Sequence, residues 1–517
     1  MKTDVLIIGG GLTGIAAADT IIQNSNLTVT LLQWGSGASP YIHAFCMPVG
    51  EGDSVELFYE DTMNSGYGQS DPKLASRLCS ESLGLLDYFK QLGYDLDRDE
   101  KGYRLLQALG SSVPRIAGIH NSTGPAMLSR LRQRLKESCR YQELPGHRAL
   151  DLIRQDGRVV GARCFEKETN SFYTISAGIV VLASGGFGRL FPESTNSADI
   201  GGDGIAMAYR AGAVLTDMEF IQFEPSAAVW PPQVAGKGIV TTMFYDGAVL
   251  RAADGRRFML EHSDKGECVP KDVQSKCIYR EISTHGGTPH GGVWFDATQV
   301  PEEKWQGAYK PYLNRYLACD IDLRKEPVEI APAAHTTCGG VRIDENCRTG
   351  IPGLIACGEV AGGLHGANRL GGNAGLETMV FGRIAGTAAI SDAETVPELP
   401  EDRQPDRAAD VDIPDLCFRM QNILRGSLNV IRSAEGLDAG IRGLDALLLE
   451  LGTYEGSYEK HRLYNDLLTA KTAMVSAAER RSSIGCHSRS DTVEEKEIYR
   501  VEIKNAAGEM TCLRTSV

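Results

Sequence analysis

Three glycines near the start of the chain have the spacing of a phosphate-binding turn. The run reads Gly9-Gly10-Gly11-Leu12-Thr13-Gly14. In a G-x-G-x-x-G turn, Gly9 permits the tight turn, Gly11 lets the backbone approach a pyrophosphate, and Gly14 allows a helix to pack closely on a strand. The amide groups at the start of that helix, around Leu12 and Thr13, then face the anion. The motif therefore predicts a dinucleotide site.

The residues around this turn have the pattern of the strand–helix–strand unit that such a site needs. Residues 5–8 are apolar, residues 15–22 are helical in pattern, and residues 28–32 form a second apolar strand. The second strand of such a unit usually leads to an Asp or Glu that binds a ribose hydroxyl. Here it ends in Gln33 and Trp34. Gln can also hydrogen-bond a hydroxyl group, so a dinucleotide site is still predicted, although the missing acidic residue weakens the motif.

Glycine is unusually frequent and unevenly distributed. The chain has 58 glycines in 517 residues, about 11% against a usual share of about 7%. Residues 339–386 alone hold 13 of them. Proline is ordinary and there is no Gly-X-Y period, which excludes collagen. The excess therefore indicates sites where the backbone turns sharply or approaches a ligand.

Charge and cysteine usage limit the class of protein. The net charge is −14, which disfavours nucleic acid, because proteins that bind it usually present a basic face. The 13 cysteines include no C-x-x-C pair, which predicts a reduced, cytoplasmic protein without iron–sulfur ligand runs. We find no signal-peptide cleavage region and no run of 18 uncharged apolar residues, so no membrane span is predicted.

The pattern along the chain predicts an α/β protein with several parts. Alternating strand and helix signals stop near Asp217, and a segment rich in Pro, Asp and Glu near residue 400 has the composition of a linker. The predicted parts are a nucleotide-binding domain (1–216 and 333–393), an inserted domain (217–332), a linker (394–415), a helical domain (416–490) and a tail with a hairpin (491–517).

Four further segments carry a family resemblance. They are residues 181–186 (Val-Leu-Ala-Ser-Gly-Gly), 349–359 (Thr-Gly-Ile-Pro-Gly-Leu-Ile-Ala-Cys-Gly-Glu), 365–373 (His-Gly-Ala-Asn-Arg-Leu-Gly-Gly-Asn) and 477–487, which begins Ala-Ala-Glu-Arg-Arg and ends in His. With the glycine turn, they resemble the flavoprotein family of fumarate reductase, succinate dehydrogenase and L-aspartate oxidase. The resemblance implies FAD, a Rossmann-like FAD-binding domain, a capping domain inserted in it, and a C-terminal helical domain.

The resemblance also implies a set of cofactor-binding residues. In the covalent members a His after the second strand carries the flavin, but Ala38 stands at that place here, so we expect FAD to be bound non-covalently. His43, five residues further on, is expected at the flavin edge or as a polar loop residue. The expected FAD-binding residues are Gly9, Gly11, Leu12, Thr13, Gly14, Gln33, Trp34, Ser39, His43, Ser184, Gly185, Gly186, Asp203, Glu359, Asn373, Ala374 and Gly375.

Enoate reduction in this family uses two His and two Arg, and two of the four are kept here. His335 matches a substrate-binding His and Arg369 matches the Arg that binds the carboxylate. The proton-donating Arg of the family is replaced by Lys271, and the other His by Glu224. Lys can donate a proton but lacks the planar fork of Arg. The expected catalytic residues are therefore Lys271, His335, Arg369 and Glu224.

Glu224 leaves three alternatives open. An ionised Glu224 repels the second carboxylate of a dicarboxylic acid and suits a cationic or hydrogen-bond-donating group, as on urocanate-like or amino-bearing substrates. A protonated Glu224, or an ion pair between Glu224 and Lys271, removes that repulsion. The other expected substrate-binding residues are Gln222, Thr241, Thr242 and Tyr245, beside His335 and Arg369. His285 and His290 have no third ligand at a useful spacing, so no metal is expected.

Three functions are consistent with these residues. The first is an FAD enzyme that moves hydride to or from a carbon–carbon bond beside a carboxylate, on a small substrate other than plain fumarate. The second is an L-aspartate oxidase-like enzyme in which Glu224 faces the amine. The third is a non-catalytic, electron-relaying subunit of a larger complex. Since the chain has no iron–sulfur motif, electrons would come through a partner protein, a diffusible carrier or oxygen.

Overall fold

Buried apolar strands form the central sheet of the nucleotide-binding domain. The computed structural model describes residues 1–100, 102–120, 122–400, 410–495 and 498–517. In spatial order the sheet contains Tyr141–Pro145, Val29–Gln33, Lys2–Ile8, Ser171–Leu182, Arg158–Glu166 and His147–Gln155, with Leu354–Ala356 also paired to Ser171–Leu182. The first four strands and Leu354–Ala356 run parallel, and Arg158–Glu166 runs antiparallel to both of its neighbours. Asp156 and Gly157 join the antiparallel pair with φ of 51° and 82°, as the two-residue hairpin turn requires.

Two long helices pack directly on each other beside this sheet. Leu12–Asn24 follows the glycine turn, and Asn373–Asp392 lies against it. Side chains at Gly382 and Gly386 would meet the backbone oxygens of Thr13 and Ala17 at 2.6 and 2.7 Å, so only glycine allows this approach. The other helices of this domain are Val55–Ser65, Pro72–Ser82, Gly84–Gln91, Thr123–Lys136 and Asp203–Arg210.

The inserted domain is built on an antiparallel sheet of four strands. In spatial order they are Ile221–Ala228, Val328–Thr337, Val293–Asp296 and Val249–Arg251. Its helices are Lys271–His285, Glu302–Trp305 and Lys310–Leu317. The predicted boundary after residue 332 falls inside Val328–Thr337, so one continuous strand leads from the inserted domain back to the nucleotide-binding domain.

Three helices follow the predicted linker, of which residues 401–409 lie outside the described residues. The helices are Ile413–Ser427, Ala434–Leu451 and Tyr458–Glu479. The spacing of Leu444, Leu447, Leu448 and Leu451 predicts one face of the second helix. Leu444, Leu447 and Leu451 are buried there and Leu448 is partly buried. The chain then forms a hairpin of Tyr499–Ala506 and Glu509–Ser516, whose first strand pairs with Leu215–Thr216 of the nucleotide-binding domain.

Short strands complete the structure. Those not yet named are Gly340–Arg342 and Ala361–Gly362 beside the hairpin, Phe45–Cys46, Leu105–Leu106 and Ile116–Ala117 in a small sheet, and the pairs Arg98–Asp99 with Gly102–Tyr103 and Ile431–Arg432 with Ser488–Arg489. Within the described part of the chain, every helix is too short or too polar to cross a bilayer.

Candidate active site

A cavity of about 850 Å³ lies between the nucleotide-binding domain and the inserted domain. Its floor is formed by the glycine turn and the start of Asn373–Asp392, and its roof by Glu224, Lys271 and the loop around Thr241. The volume lies in the upper part of the range of about 300–1,000 Å³ that is typical of ligand and cofactor sites. The cavity extends from the glycine turn to a cluster of ionisable groups, an arrangement that suits a redox cofactor together with its substrate.

The glycine turn shapes one end of the cavity. Gly9 has φ of 123°, and a side chain there would overlap the carbonyl oxygen of Ala183. Gly11, at the N-cap of the helix that follows, has no side chain to cap it, and the Leu12 amide donates instead to the Ser39 side chain (Oγ, 2.8 Å). The free amides at this helix start favour an anion. Gly14 does not line the cavity, because it packs against Gly9 as the motif predicts.

Aromatic residues line the wall beyond the second strand. Trp34 faces the cavity, its ring centroid lying 5.3 Å from that of Tyr458 and 5.3 Å from the guanidinium carbon of Arg148. Arg148 forms a buried ion pair with Asp203, at the start of the helix Asp203–Arg210. Because Tyr458 begins the last long helix, the C-terminal helical domain contacts this wall. The Gln33 side chain donates to the Gly35 oxygen (3.2 Å) and lies outside the cavity lining.

A second helix start faces the middle of the cavity. The helix Asn373–Asp392 begins after Gly372, which has a left-handed φ of 89°, and it has no side-chain cap. Ala374 and Gly375 line the cavity, so the positive end of the helix dipole faces it. Asn373 Oδ1 and Ser184 Oγ are buried without a hydrogen-bond partner among the described residues. Ser184 lines the cavity, so a polar cofactor there can supply a partner to its hydroxyl group.

The structure gathers most of the expected FAD-binding residues around this one cavity. Gly9, Gly11, Thr13, Trp34, Ser39, His43, Ser184, Gly185, Asp203, Glu359, Ala374 and Gly375 line it. Leu12, Gly14, Gln33, Gly186 and Asn373 lie behind the lining. A side chain at Gly186 would meet Glu359 Oε1 at 2.7 Å, so glycine is needed there for packing. The glycine cradle, the two helix starts that face the cavity and the orphaned Ser184 hydroxyl group fit an elongated nucleotide such as FAD.

Glu224 and Lys271 form an ion pair in the roof of the cavity. Lys271 Nζ donates to Glu224 Oε2, and Ser226 Oγ donates to Glu224 Oε1 (2.9 Å). The exposed fractions of the two charged side chains are 15% and 6%. Lys271 is the first residue of the helix Lys271–His285, where a cation opposes the helix dipole. The carboxylate of Glu224 offsets that cost, so each of the two buried charges is stabilised by the other.

The surroundings of Glu224 and His335 decide their charge. Burial raises the pKa of Glu224. The charge of Lys271, the neighbouring His335 and hydrogen bonds from Lys271 and Ser226 lower it more strongly, so the pKa of Glu224 lies below its usual value. Burial lowers the pKa of His335 to about 3, with Glu224 opposing the shift and the charges of Lys271 and Arg369 adding to it. At neutral pH, Glu224 is therefore an anion and His335 is neutral.

His335 lies on the strand next to Glu224. The strands Ile221–Ala228 and Val328–Thr337 pair, and His335 Nε2 is 3.8 Å from Glu224 Oε2. The other ring nitrogen, Nδ1, shares a hydrogen bond with Thr195 Oγ1 (2.8 Å). With 33% of its side chain exposed, the ring faces the cavity as a neutral group that can accept or donate one hydrogen bond.

Arg369 is held from behind by Gln222. The Gln222 amide donates to the carbonyl oxygen of Arg369 (2.9 Å) and to Asn368 Oδ1 (2.8 Å). Gln222 is fully buried and does not line the cavity, so it positions Arg369 instead of contacting a ligand. Arg369 lines the cavity, Nη1 donates to the Leu370 oxygen (3.2 Å), and Nε is buried without a partner in the described part of the chain. The guanidinium is therefore available to a carboxylate.

The remaining expected site residues divide between the cavity and the surface. Thr241 and Thr242 are buried in the cavity wall. Tyr245 is 41% exposed and does not line the cavity, because the short helical turn Thr241–Asp246 rotates it away. His285 and His290 pair with Glu281 and Glu329. Among the described residues no group of three or more potential metal ligands occurs.

Five further residues complete the site, and four of them have no signal in the sequence pattern. Thr195 binds His335, Ser226 binds Glu224, and Glu377 pairs with His365 (2.9 Å) at the cavity wall. Tyr312 and Arg315 line the roof, and the Arg315 guanidinium carbon lies 5.3 Å from the Tyr312 ring centroid. Ser226 alone has a sequence signal, because it stands two residues after Glu224 and shares its strand face.

Comparison with known proteins identifies the family of the chain. The model of a family described as "FAD binding domain" matches residues 4–374. The chain is 33% identical to a fumarate reductase (CoM/CoB) subunit of Methanothermobacter marburgensis, over 95% of this chain and 94% of that protein. It is 30% identical to L-aspartate oxidase of Yersinia pestis, over 94% of this chain and 95% of that protein.

A solved structure extends the similarity to the whole fold. Sdh1 of Mycobacterium smegmatis, solved in complex with UQ1, matches with a TM-score of 0.87 and 27% identity. The match covers 100% of this chain and 94% of that chain. The inserted and helical domains are therefore parts of one shared architecture.

Proposed function

Since this chain belongs to the FAD-binding flavoprotein family that includes fumarate reductases and L-aspartate oxidases, we propose that it transfers hydride between FAD and a carbon–carbon bond next to a carboxylate. Its class, an FAD-dependent oxidoreductase, follows from family membership. The observation that supports the finer proposal is the convergence of Arg369, His335 and Lys271 on one cavity that the two glycine-bounded helix starts also face.

The residues that would hold FAD are the glycine turn, the Trp34 wall and the start of Asn373–Asp392. When bound, FAD supplies a hydride donor or acceptor. Ala38 lines the cavity and has no side chain that could form a bond to it, which supports non-covalent binding. Acid precipitation of the holoprotein tests this point. Flavin released to the supernatant is expected, and flavin retained in the pellet would contradict it.

Each ionisable residue of the site has a proposed role. Arg369 binds and polarises the substrate carboxylate through its planar guanidinium. His335, neutral at working pH, contributes a hydrogen bond without adding charge. Lys271 delivers the proton that must reach the carbon next to the one that receives hydride, and it removes that proton in the reverse direction. Glu224 holds the Lys271 ammonium in the cavity roof through their ion pair.

Turnover by the purified holoenzyme tests the proposal. Oxidation of reduced viologen on addition of an α,β-unsaturated carboxylic acid is expected under anaerobic conditions. Lys271→Ala should lower turnover by about 10²–10⁴-fold, the usual contribution of a general acid, while ligand binding at Arg369 persists. Full turnover by Lys271→Ala would remove Lys271 from the mechanism. Redox cycling of the flavin without turnover of any acid would favour an electron-relaying role.

Amino-acid oxidation is a second candidate, supported by the carboxylate of Glu224 in the cavity wall and by the L-aspartate oxidase relatives. Peroxide produced from amino acids in air would favour it. The ion pair with Lys271 argues against it, because a substrate amine must then compete with an intramolecular cation. Since the relative in Methanothermobacter marburgensis is one subunit of a reductase, we also propose that an electron-transfer protein serves this chain.

A further inference from the structure

Trp34 stands close to the place where a dinucleotide site usually has an acidic residue. In a strand–helix–strand unit that place lies beside the ribose of the nucleotide, past the pyrophosphate at the glycine turn. The Trp34 side chain faces the cavity there. A flat aromatic ring in this position can stack on the base that the ribose carries, because every nucleotide base has a π face.

The Trp34 ring is held by aromatic neighbours from two domains. Its centroid lies 5.3 Å from that of Tyr458 and 6.4 Å from that of Phe165. These two rings stack on each other at 4.2 Å with an interplanar angle of 15°. Phe165 belongs to the central sheet, in the strand Arg158–Glu166, whereas Tyr458 is the first residue of the last long helix, Tyr458–Glu479. The C-terminal helical domain therefore supplies one of the rings that fix Trp34.

Arg148 joins the same wall to the helical domain. Its guanidinium carbon lies 5.3 Å from the Trp34 centroid, and its Nη1 donates to the Tyr458 hydroxyl oxygen (3.2 Å). The ammonium group of Lys167, an exposed side chain, lies 5.9 Å from the same centroid. Arg148 is only 6% exposed, and its charge is paired with Asp203. It therefore positions the aromatic rings instead of binding a phosphate group.

The last long helix also holds a second part of the cavity wall, the start of the helix Asp203–Arg210. Asn465 Nδ2 donates to Asp203 Oδ1 (3.4 Å), and Thr469 Oγ1 donates to the Gly202 oxygen (3.1 Å). Gly202 has a left-handed φ of 83°, and a side chain there would meet Thr469 Cγ2 at 2.7 Å. The helical domain therefore packs closely against this helix start.

Two parts of the cavity wall thus depend on contacts with the C-terminal helical domain. We propose that Trp34 stacks on the adenine ring of FAD and that the helix Tyr458–Glu479 holds Trp34 in position for it. Binding of FAD and docking of the helical domain then stabilise each other, because the coupling between two equilibria is reciprocal. The coupling requires FAD but no particular substrate, so it goes beyond the proposed hydride transfer.

The affinity for FAD tests the stacking. A dilution series of the holoenzyme gives the dissociation constant of FAD, because flavin fluorescence changes on release. Trp34→Leu should raise this constant by about 5- to 150-fold, the range expected from base–aromatic stacking. Trp34→Phe keeps a flat ring and should raise it less. Wild-type affinity in Trp34→Leu, or a Trp34→Phe variant as weak as Trp34→Leu, would overturn the stacking.

Two tyrosines of the helical domain form a matched pair that tests the coupling. Neither lines the cavity, but Tyr458 contacts Trp34, whereas Tyr454 stacks on Tyr464 with 3.9 Å between centroids. Tyr458→Leu should raise the dissociation constant of FAD by about fivefold or more, and Tyr454→Leu should leave it unchanged. An unchanged constant in Tyr458→Leu, or an equal rise in both variants, would contradict the coupling.

Hydrogen exchange of the full-length protein gives the reciprocal readout. Amide groups of Tyr458–Glu479 should exchange about fivefold or more slowly with FAD bound than after its removal. Tyr458→Leu should abolish this protection and Tyr454→Leu should keep it. Equal exchange of this helix with and without FAD in the wild type would overturn the coupling. Both readouts are independent of turnover, so loss of hydride transfer in a variant changes neither of them.

Discussion

Replacing Lys271 by Met should destabilise the inserted domain by leaving Glu224 buried without a cation. The two side chains are 15% and 6% exposed, so the pair is shielded from water. Removing one partner of a buried ion pair typically costs about 3–5 kcal/mol. Because Ser226 still donates to Glu224 at 2.9 Å, we expect the loss at the lower end of that range. Thermal and urea unfolding of the holoenzyme measure it.

The loss should depend on pH in a defined direction. In the wild type the pKa of Glu224 is lowered, so its contribution to stability is present above its usual pKa of 4.5 and is lost as the pH falls through the folded value. In Lys271→Met, burial dominates and raises this pKa, so stability falls as the pH rises from about 4.5. The gap between the proteins should widen from pH 5 to pH 8, by about 1.4 kcal/mol for each unit by which the pKa is raised.

Two further variants check that the ion pair is the cause. The double variant Glu224→Gln with Lys271→Met removes both charges and should recover much of the stability, because a pair of neutral groups carries no buried charge. Lys325→Met breaks a surface pair in the same domain, at a side chain that is 77% exposed, and should leave unfolding unchanged. A double variant no more stable than Lys271→Met, or a gap that is flat with pH, would refute the reasoning.

Three other predictions concern the cofactor and the substrate. Gly9→Ala should lower the flavin content of the purified protein, because its side chain overlaps the Ala183 carbonyl; full occupancy would show that the turn can shift. Arg369→Lys should weaken carboxylate binding by about tenfold or more through loss of the planar fork, with unchanged flavin content, and equal affinity would contradict that role. Because the pKa of His335 is about 3, the dissociation constant of a carboxylate ligand should show no inflection near pH 6.5. An inflection that disappears in His335→Asn would show that the imidazole is protonated and would contradict this prediction.

The sequence alone predicted the glycine turn at one end of the cavity, because that turn depends on local backbone requirements. The spacing of Gly9, Gly11 and Gly14 between a strand and a helix has few other uses. The Asp156-Gly157 dipeptide predicts a hairpin turn and the spacing of four leucines predicts a helix face; the structure has the turn and buries Leu444, Leu447 and Leu451 fully and Leu448 in part. The change of pattern along the chain likewise predicted an inserted domain and a C-terminal helical domain. It did not predict that the last hairpin pairs with Leu215–Thr216.

The substrate end depends on contacts between residues far apart in the chain, and the tertiary structure decided it. Lys271 and Glu224 are 47 residues apart, and Thr195 and His335 are 140 apart, so short-range periodicity carries no signal of either contact. Regular alternation would also place Gln222 and Glu224 on one strand face. A register shift between Gln222 and Phe223 separates them, so that Glu224 faces the cavity and Gln222 holds Arg369 from behind. The sequence named the residues that depart from the family pattern, and packing determined that two of them neutralise each other.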